Sequence, residues 1–260
     1  MAIEVPESLH VEQDGDVRIV TLQRAHKRNA LDDDTVRALG ALFATLDDAV
    51  KAVVIDADGD HFCAGLDLSS LAEHSTYDGI FHSQMWHRTM AAIEDSPVPV
   101  IAALKGAVVG GGLELATAAH LRVADSTAFY VLPEGQRGIF VGGGASVRVP
   151  RLIGFSRMMD MMLTGRRLDA AEGHSAGLTH YLVDAGSART KAIELARKVA
   201  ANPRATNFAV TQALPRIAEM NPRDGFLMES LMAAIAQGTD EAKQRMADFV
   251  AGKATKADAL

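Results

Sequence analysis

The sequence predicts an α/β fold, and three observations carry that reading. Short, mainly apolar stretches of strand length recur, as at residues 52–57 and 100–104. Glycine-rich loops follow them, and helical apolar spacing follows the loops. This order of strand, glycine loop and helix occurs at least twice, which favours layers with substantial parallel pairing. Near residue 187 the pattern becomes helical throughout, so the 260 residues divide into an α/β core, 1–186, and a helical module, 187–260.

Each element has a local reason. Residues 9–13 and 17–23 flank Asp14-Gly15-Asp16, a hairpin signal. Asp32, Asp33 and Asp34 offer N-caps for a helix reaching about residue 47, with Val36, Leu39, Leu42, Phe43 and Leu46 on one face. The strand at 52–57 turns at Asp58-Gly59-Asp60 into His61-Phe62-Cys63-Ala64-Gly65, and Asp67 caps a short helix. Residues 79–94 carry helical spacing in Ile80, Phe81, Met85, Met90 and Ile93. Pro97 and Pro99 precede the buried strand at 100–104, and short strands return at 121–124 and 129–131. In the helical module, breaks fall at Pro203, Pro222 and Gly238. Ala209, Val210, Ala213, Leu214 and Ile217 form one stripe, and Phe226, Leu227, Leu231 and Ile235 another. The tail, 252–260, reads as frayed.

Composition narrows the function classes. Apolar residues make up 48% of the chain, enough for a sizeable core, and charged residues 23%. A net charge of −7 and the lack of a Lys/Arg stripe argue against nucleic acid. The single cysteine, Cys63, excludes an internal disulfide and a multi-cysteine metal site. The first residues do not read as a signal peptide, and the apolar runs are too short to span a membrane. The expectation is a cytoplasmic enzyme with no metal and no membrane partner.

Gly110-Gly111-Gly112-Leu113-Glu114-Leu115 is the most informative stretch. Consecutive glycines cost backbone entropy, so close approach of a ligand to the backbone is their best explanation. A helix start offers free N–H groups and a favourable dipole to developing negative charge. Glu114 adds proton chemistry within an otherwise apolar run. Competing motifs lack their context. Gly173-His174-Ser175-Ala176-Gly177 matches a nucleophile elbow, yet helix-like residues precede it and the last histidine is His180. No phosphate-binding loop is complete. His82 and His87, five apart, suit one metal poorly; with His61 and His74 they are candidates for a substrate entrance.

Phe62-Cys63-Ala64-Gly65-Leu66-Asp67-Leu68 and the segment from Gly106 to Ala116, with Lys27-Arg28-Asn29-Ala30-Leu31 and Pro133-Glu134, closely resemble the crotonase (enoyl-CoA hydratase/isomerase) superfamily. The resemblance covers nearly the whole chain. It implies a spiral of ββα units with a C-terminal trimerising helical module, assembled as a homotrimer or a dimer of trimers. It implies an acyl-CoA thioester substrate of fatty acid metabolism, CoA being part of the substrate and no cofactor being needed. The amides of Ala64 and Gly111 would form the oxyanion hole. Glu114 and Glu134, twenty residues apart, match the paired catalytic glutamates of the hydratase branch. Gly142 would position water or the product hydroxyl, and Cys63, Leu66, Asp67, Leu68 and Trp86 would contact the substrate.

The implied reaction adds water across a 2-enoyl thioester. Two backbone donors would hold the enolate oxygen and two carboxyls would move the protons. Some details depart from the general hydratase form. Val141 stands where hydratases often carry proline, and Val147 where they carry a polar residue. The loop 132–141, with Arg151-Leu152-Ile153-Gly154, is closer to a branch that includes methylthioacryloyl-CoA hydratase, which hydrates and then hydrolyses its thioester. Ala233 replaces an aromatic often lent to CoA by a neighbouring subunit, and Lys253 aligns near the CoA phosphates. A non-catalytic acyl-CoA-binding or RNA-binding member of the superfamily is the alternative from another class, and the intact glutamate pair opposes it.

Overall fold

The structure, a computed structural model, describes residues 5–70 and 75–253. Its strands, in chain order, are β1 (Leu9–Asp14), β2 (Val17–Leu22), β3 (Ala52–Ala57), β4 (Val100–Leu104), β5 (Ala107–Val109), β6 (Leu121–Asp125), β7 (Phe129–Val131), β8 (Leu168–Asp169) and β9 (Tyr181–Val183). The helices are α1 (Asp33–Ala44), α2 (Thr76–Glu94), α3 (Gly111–Ala118), α4 (Ala145–Ile153), α5 (Phe155–Thr164), α6 (Ala170–Ala176), α7 (Ala188–Ala200), α8 (Arg204–Phe208), α9 (Leu214–Ile217), α10 (Pro222–Gly238) and α11 (Asp240–Val250). None of the described helices is long and apolar enough to cross a membrane.

Two compact units divide between Lys198 and Val199. In the first, a six-stranded sheet runs β1-β2-β3-β4-β6-β9 and a second sheet runs β5-β7-β8. The hairpin closes with Asp14 opposite Val17, as the turn residues dictate. The pairs from β2 through β9 in the large sheet are parallel. Strands β3 and β4 are buried along their whole length, which explains the apolar runs at 52–55 and 100–104; Asp56 is the one charged residue in them. In the small sheet β5 pairs parallel with β7, and single parallel bridges, Cys63 to Val108 and Leu31 to Leu66, continue it towards the N-terminus. The chain therefore passes repeatedly from the large sheet, through the small sheet, into a helix. This is the spiral of ββα units that the resemblance implies.

Local chemistry sets the helix ends. Asp32 caps α1 by accepting from Thr35 N at 2.9 Å. Asp67 accepts from Ser69 N at 3.1 Å and opens a short 3-10 turn, Leu68–Ser70. Helix α2 begins at the Ser75 cap and differs from its expected face. Trp86, Thr89, Met90 and Ile93 are buried, whereas Ile80 and Phe81 are about half exposed. In the first turns of α2, Gly79, His82 and Ser83 line a cavity while Ile80 and Phe81 are exposed, so apolar spacing there does not mark the core.

Helix α7 packs with the first unit, one helix later than the change in sequence pattern at 187. Ala188, Ala192, Leu195 and Ala196 are buried. Arg189 reaches Asp56 Oδ2 at 2.8 Å and Glu12 Oε1 at 2.6 Å. Asp56 is itself buried, so the guanidinium satisfies a carboxylate that would otherwise be stranded.

The second unit is a run of helices. A five-residue π-helical turn, Ala209–Ala213, joins α8 to α9. The wider turn accommodates Pro215, which cannot donate in a continuous α-helix. Asn221 caps α10 and Thr239 caps α11. The stripe Phe226, Leu227, Leu231 and Ile235 is exposed, as are Val210 and Leu214.

Replacing Arg189 by alanine leaves Asp56 buried without its cation. Chemical denaturation is expected to show a loss of about 3 kcal/mol, while Arg197→Ala, whose Asp14 contact is exposed, stays within about 0.5 kcal/mol of the parent.

Candidate active site

A cavity of about 330 Å³ opens in the first unit. Its walls are the loop at Ala64–Leu66 with Leu68, the start of α3, the side of α2 bearing Gly79, His82, Ser83 and Trp86, and the segment from Glu134 to Gly143. Glu114 and Glu134 both line it. Among the described residues no group of three or more His, Cys, Asp or Glu side chains could hold a metal ion.

The N–H groups facing the cavity follow from the small-sheet pairing. Leu31 N donates to Gly65 O and Asp67 N donates to Leu31 O, both at 2.8 Å. Gly65 O and Leu66 N–H belong to one planar peptide and point in opposite directions, so Leu66 N–H faces away from Leu31. It has no partner among the described residues, and neither has Gly111 N–H at the first turn of α3. A Cβ added to Gly111 would stand 3.3 Å from Leu66 N and 2.9 Å from the Trp86 ring. A Cβ on Gly65, at φ +99°, would stand 3.3 Å from Gly111 N and 2.8 Å from Val109 O. Glycine at these positions keeps the two amides close and reachable.

The expectation for Ala64 is corrected. Its N–H donates to Arg28 O at 3.0 Å, on the side away from any incoming oxygen. The amide that pairs with Gly111 is Leu66, two residues on. That side chain was expected only as a substrate contact. The regular two-residue pleat does not run through this loop, because Gly65 between the two residues has φ +99°, and only the pairing with Arg28 and Leu31 says which N–H is occupied.

Glu114, almost wholly buried on α3, is held from the N-terminal end of α4. Its Oε1 accepts from Gly143 N at 2.7 Å and Ala145 N at 3.0 Å. Burial raises its pKa above the ordinary carboxylate value, and the two amides pull it back, with smaller downward contributions from His87 and Arg148. Arg148 is anchored by Glu94 at 2.6 Å and reaches Gly143 O at 3.3 Å.

Glu134 sits beyond β7, where Pro133 directs the chain past the α3 N-terminus. A Cβ on Gly110 would stand 2.7 Å from its Oε1. Its Oε2 is buried with no hydrogen-bond partner among the described residues. Burial raises its pKa to about 7; its own backbone N–H opposes this, the Glu114 charge adds to it, and Arg137 opposes it. One carboxyl is thus fixed by donors, and the other is undersatisfied and titrates near neutrality.

Other expected contacts divide. Leu66, Leu68, Trp86 and Gly142 line the cavity. Cys63 and Asp67 do not, and their expected substrate contacts are corrected. Cys63 is buried beneath the loop, where desolvation pushes its thiol up to about 12 and its sulfur accepts from Gly65 N. The Asp67 carboxylate is taken up by Lys27 and Arg24, each at 2.8 Å, and by Ser69, which hold it well below the usual carboxylate range. Of the histidines, His82 lines the cavity and bonds Asp33 at 2.7 Å. His61 instead receives Ala107 N at 3.1 Å as part of the fold, and His74 lies outside the described residues. Ser175 lies exposed within α6, so no strand-to-helix elbow presents it.

Residues 12–255 match the enoyl-CoA hydratase/isomerase family. A Mycobacterium bovis protein named probable enoyl-CoA hydratase echA8 is 31% identical over 250 residues, covering 95% of this chain and 96% of the relative. The short-chain-enoyl-CoA hydratase of Clostridium acetobutylicum is 29% identical, covering 92% and 93%. A solved structure from Rhodopseudomonas palustris, provisionally assigned as an enoyl-CoA hydratase, has 56% identity and a TM-score of 0.93, covering 97% of this chain and 98% of that one. The enoyl-CoA hydratase of Bacillus anthracis has 28% identity and a TM-score of 0.89, covering 96% and 98%.

The raised Glu134 pKa has a stability consequence. The folded value, about 7, lies above the ordinary 4.5, so ionising this carboxyl opposes folding. Its contribution is fully present below the ordinary value and is lost as pH rises through about 7. Glu134→Gln is therefore expected to be more stable than the parent at pH 8 by about 2 kcal/mol, allowing for screening by the open cavity. Denaturation at a series of pH values should show that gain fading as pH falls towards the ordinary carboxylate range.

Proposed function

The chain belongs to the enoyl-CoA hydratase/isomerase family, and from that premise we propose that it adds water across the double bond of a 2-enoyl-CoA thioester. The observation carrying this reading is the pair of buried carboxyls, one held by amides and one titrating near 7, beside two unpartnered N–H groups. Isomerisation requires only one group that moves a proton between carbons. Hydration must activate water and protonate carbon, and two carboxyls of unlike environment suit that division.

In the proposed reaction the thioester oxygen lies against Leu66 N–H and Gly111 N–H. Glu114, its Oε1 held by two amide donors, acts in its ionised form and takes a proton from water as the oxygen bonds to Cβ of the enoyl group. Negative charge develops on the thioester oxygen, where the two amides stabilise it. Glu134, protonated through its poor hydrogen bonding, delivers a proton to Cα. Proton exchange through the open cavity then restores Glu114 to its ionised form and Glu134 to its protonated form. Gly142 N–H, also at the cavity wall, is placed to hold the water or the product hydroxyl. CoA belongs to the substrate, and the steps use no metal or redox cofactor.

The exposed stripes of the second unit support assembly as a homotrimer or dimer of trimers, with Phe226, Leu227, Leu231 and Ile235 covered by another copy. A cytoplasmic enzyme of fatty acid metabolism fits this chemistry.

Incubation with crotonyl-CoA is expected to remove the enoyl absorbance without releasing free CoA. Glu114→Gln and Glu134→Gln should each lower kcat by about 10²–10⁴-fold. Free CoA appearing in step with hydration, most tellingly from methylthioacryloyl-CoA, would establish the hydrolytic alternative. No absorbance change with any enoyl-CoA would overturn the hydratase reading.

A methyl group at Gly111 would intrude between the Trp86 ring and Leu66 N. Gly111→Ala is expected to reduce kcat by at least about 10²-fold. Circular dichroism of the variant distinguishes loss of the oxyanion donors from loss of the fold.

A further inference from the structure

Ser83, on α2, contributes to the cavity wall but carries no role in the reaction proposed above. Its Oγ donates to Gly142 O at 2.6 Å. That carbonyl belongs to the same peptide unit as Gly143 N–H, which donates to Glu114 Oε1 at 2.7 Å. The peptide is planar, so fixing its oxygen fixes the opposed direction of its N–H. His87, one turn further along α2, places Nε2 3.5 Å from Ser83 Oγ. With Ser83 donating to Gly142, its oxygen is left to accept from His87.

We propose that Ser83 is a positioning residue for Glu114, acting through the Gly142–Gly143 peptide, with His87 reinforcing its orientation. Helix α2 thereby sets the direction of a hydrogen bond that its own side chains do not make. Chains of hydrogen bonds polarise one another, so a strong bond to the Gly142 carbonyl makes Gly143 N–H a better donor to the carboxylate. The next carbonyl, Gly143 O, is tied by Arg148, and Arg148 is tied to Glu94 at the end of α2. Both carbonyls of this turn are thus referred to the same helix by separate contacts.

The titratable and charged groups around Glu114 come from three elements: His87 on α2, Arg148 on α4 and Glu134 beyond β7. None replaces the Ser83 hydroxyl as a donor to Gly142 O. Losing that hydroxyl frees the peptide to rotate, weakens Gly143 N–H towards Glu114, and disfavours the ionised carboxylate. Cavity lining alone would instead affect how substrate binds.

The kinetic arm of the test rests on the hydratase reading; the titration arm does not. Carboxyl titration of Glu114 is read by ¹³C NMR in a Glu134→Gln background, with and without Ser83→Ala. Loss of the hydroxyl is expected to raise the Glu114 pKa by about half to one unit. Ser83→Thr, which keeps a hydroxyl, should restore it. In the otherwise unchanged enzyme, Ser83→Ala should lower kcat about tenfold near neutrality, move its acidic limb upward and leave KM within about threefold. An unmoved Glu114 titration, or a raised KM with an unchanged kcat profile, would overturn the proposal. If the parent hydrates no enoyl-CoA, the hydratase reading fails by itself, and the titration still decides the role of Ser83.

Discussion

The geometry of this molecule depends most on two backbone N–H groups that the fold leaves without partners. Leu66 N–H stays free because the carbonyl of its own peptide, Gly65 O, is turned to Leu31 and the N–H points the other way. Gly111 N–H stays free because it opens a helix, where the first turn has no carbonyl to reach. Bringing them together requires the small sheet, whose bridges align Leu31 with Leu66 and Cys63 with Val108. It also requires glycine at 65 and 111, since a side chain at either would occupy the space between the amides. The large parallel sheet supplies the rigid support from which these loops emerge.

Around that pair the carboxyls are given different surroundings. Glu114 lies deeper but receives two amides from the beginning of α4. Glu134 has one oxygen with no described partner and feels the charge of Glu114. Both are raised by desolvation, yet Glu114 receives two amides from another element whereas Glu134 is opposed only by its own backbone N–H and by Arg137. Their difference comes from local hydrogen bonding, since the residue type is the same. The loop that supplies those donors is held to α2 by Ser83 and by the Arg148–Glu94 pair.

Much of the fold was legible from the chain. The hairpin, α1, the strands at 52–57 and 100–104, and the glycine-to-helix transition at 110–112 all rest on local rules of turns, caps and apolar runs. Legibility weakened wherever a neighbour from elsewhere decided the outcome. The apolar residues at 80 and 81 obey helical spacing, but they are about half exposed and are not core. Asp67 looked available to substrate until Arg24 and Lys27 were placed against it. Cys63 and Leu66 are three residues apart, yet one is core and the other borders the cavity.

By itself the sequence determined the alternation of elements and the glycines that permit close approach, because these are properties of residue type and short-range spacing, whereas Glu134 was singled out only through the family resemblance. Only the tertiary structure decided which amide beside Gly111 is free. Ala64 and Leu66 lie on the same short loop, on either side of Gly65 at φ +99°. Pairing with Arg28 and Leu31, remote in sequence, engages one N–H and leaves the other. The unlike hydrogen bonding of Glu114 and Glu134 was likewise decided by which distant N–H groups reached each oxygen. A hydrogen bond has one direction and few partners, and its assignment is fixed only when the competing groups occupy their places in space.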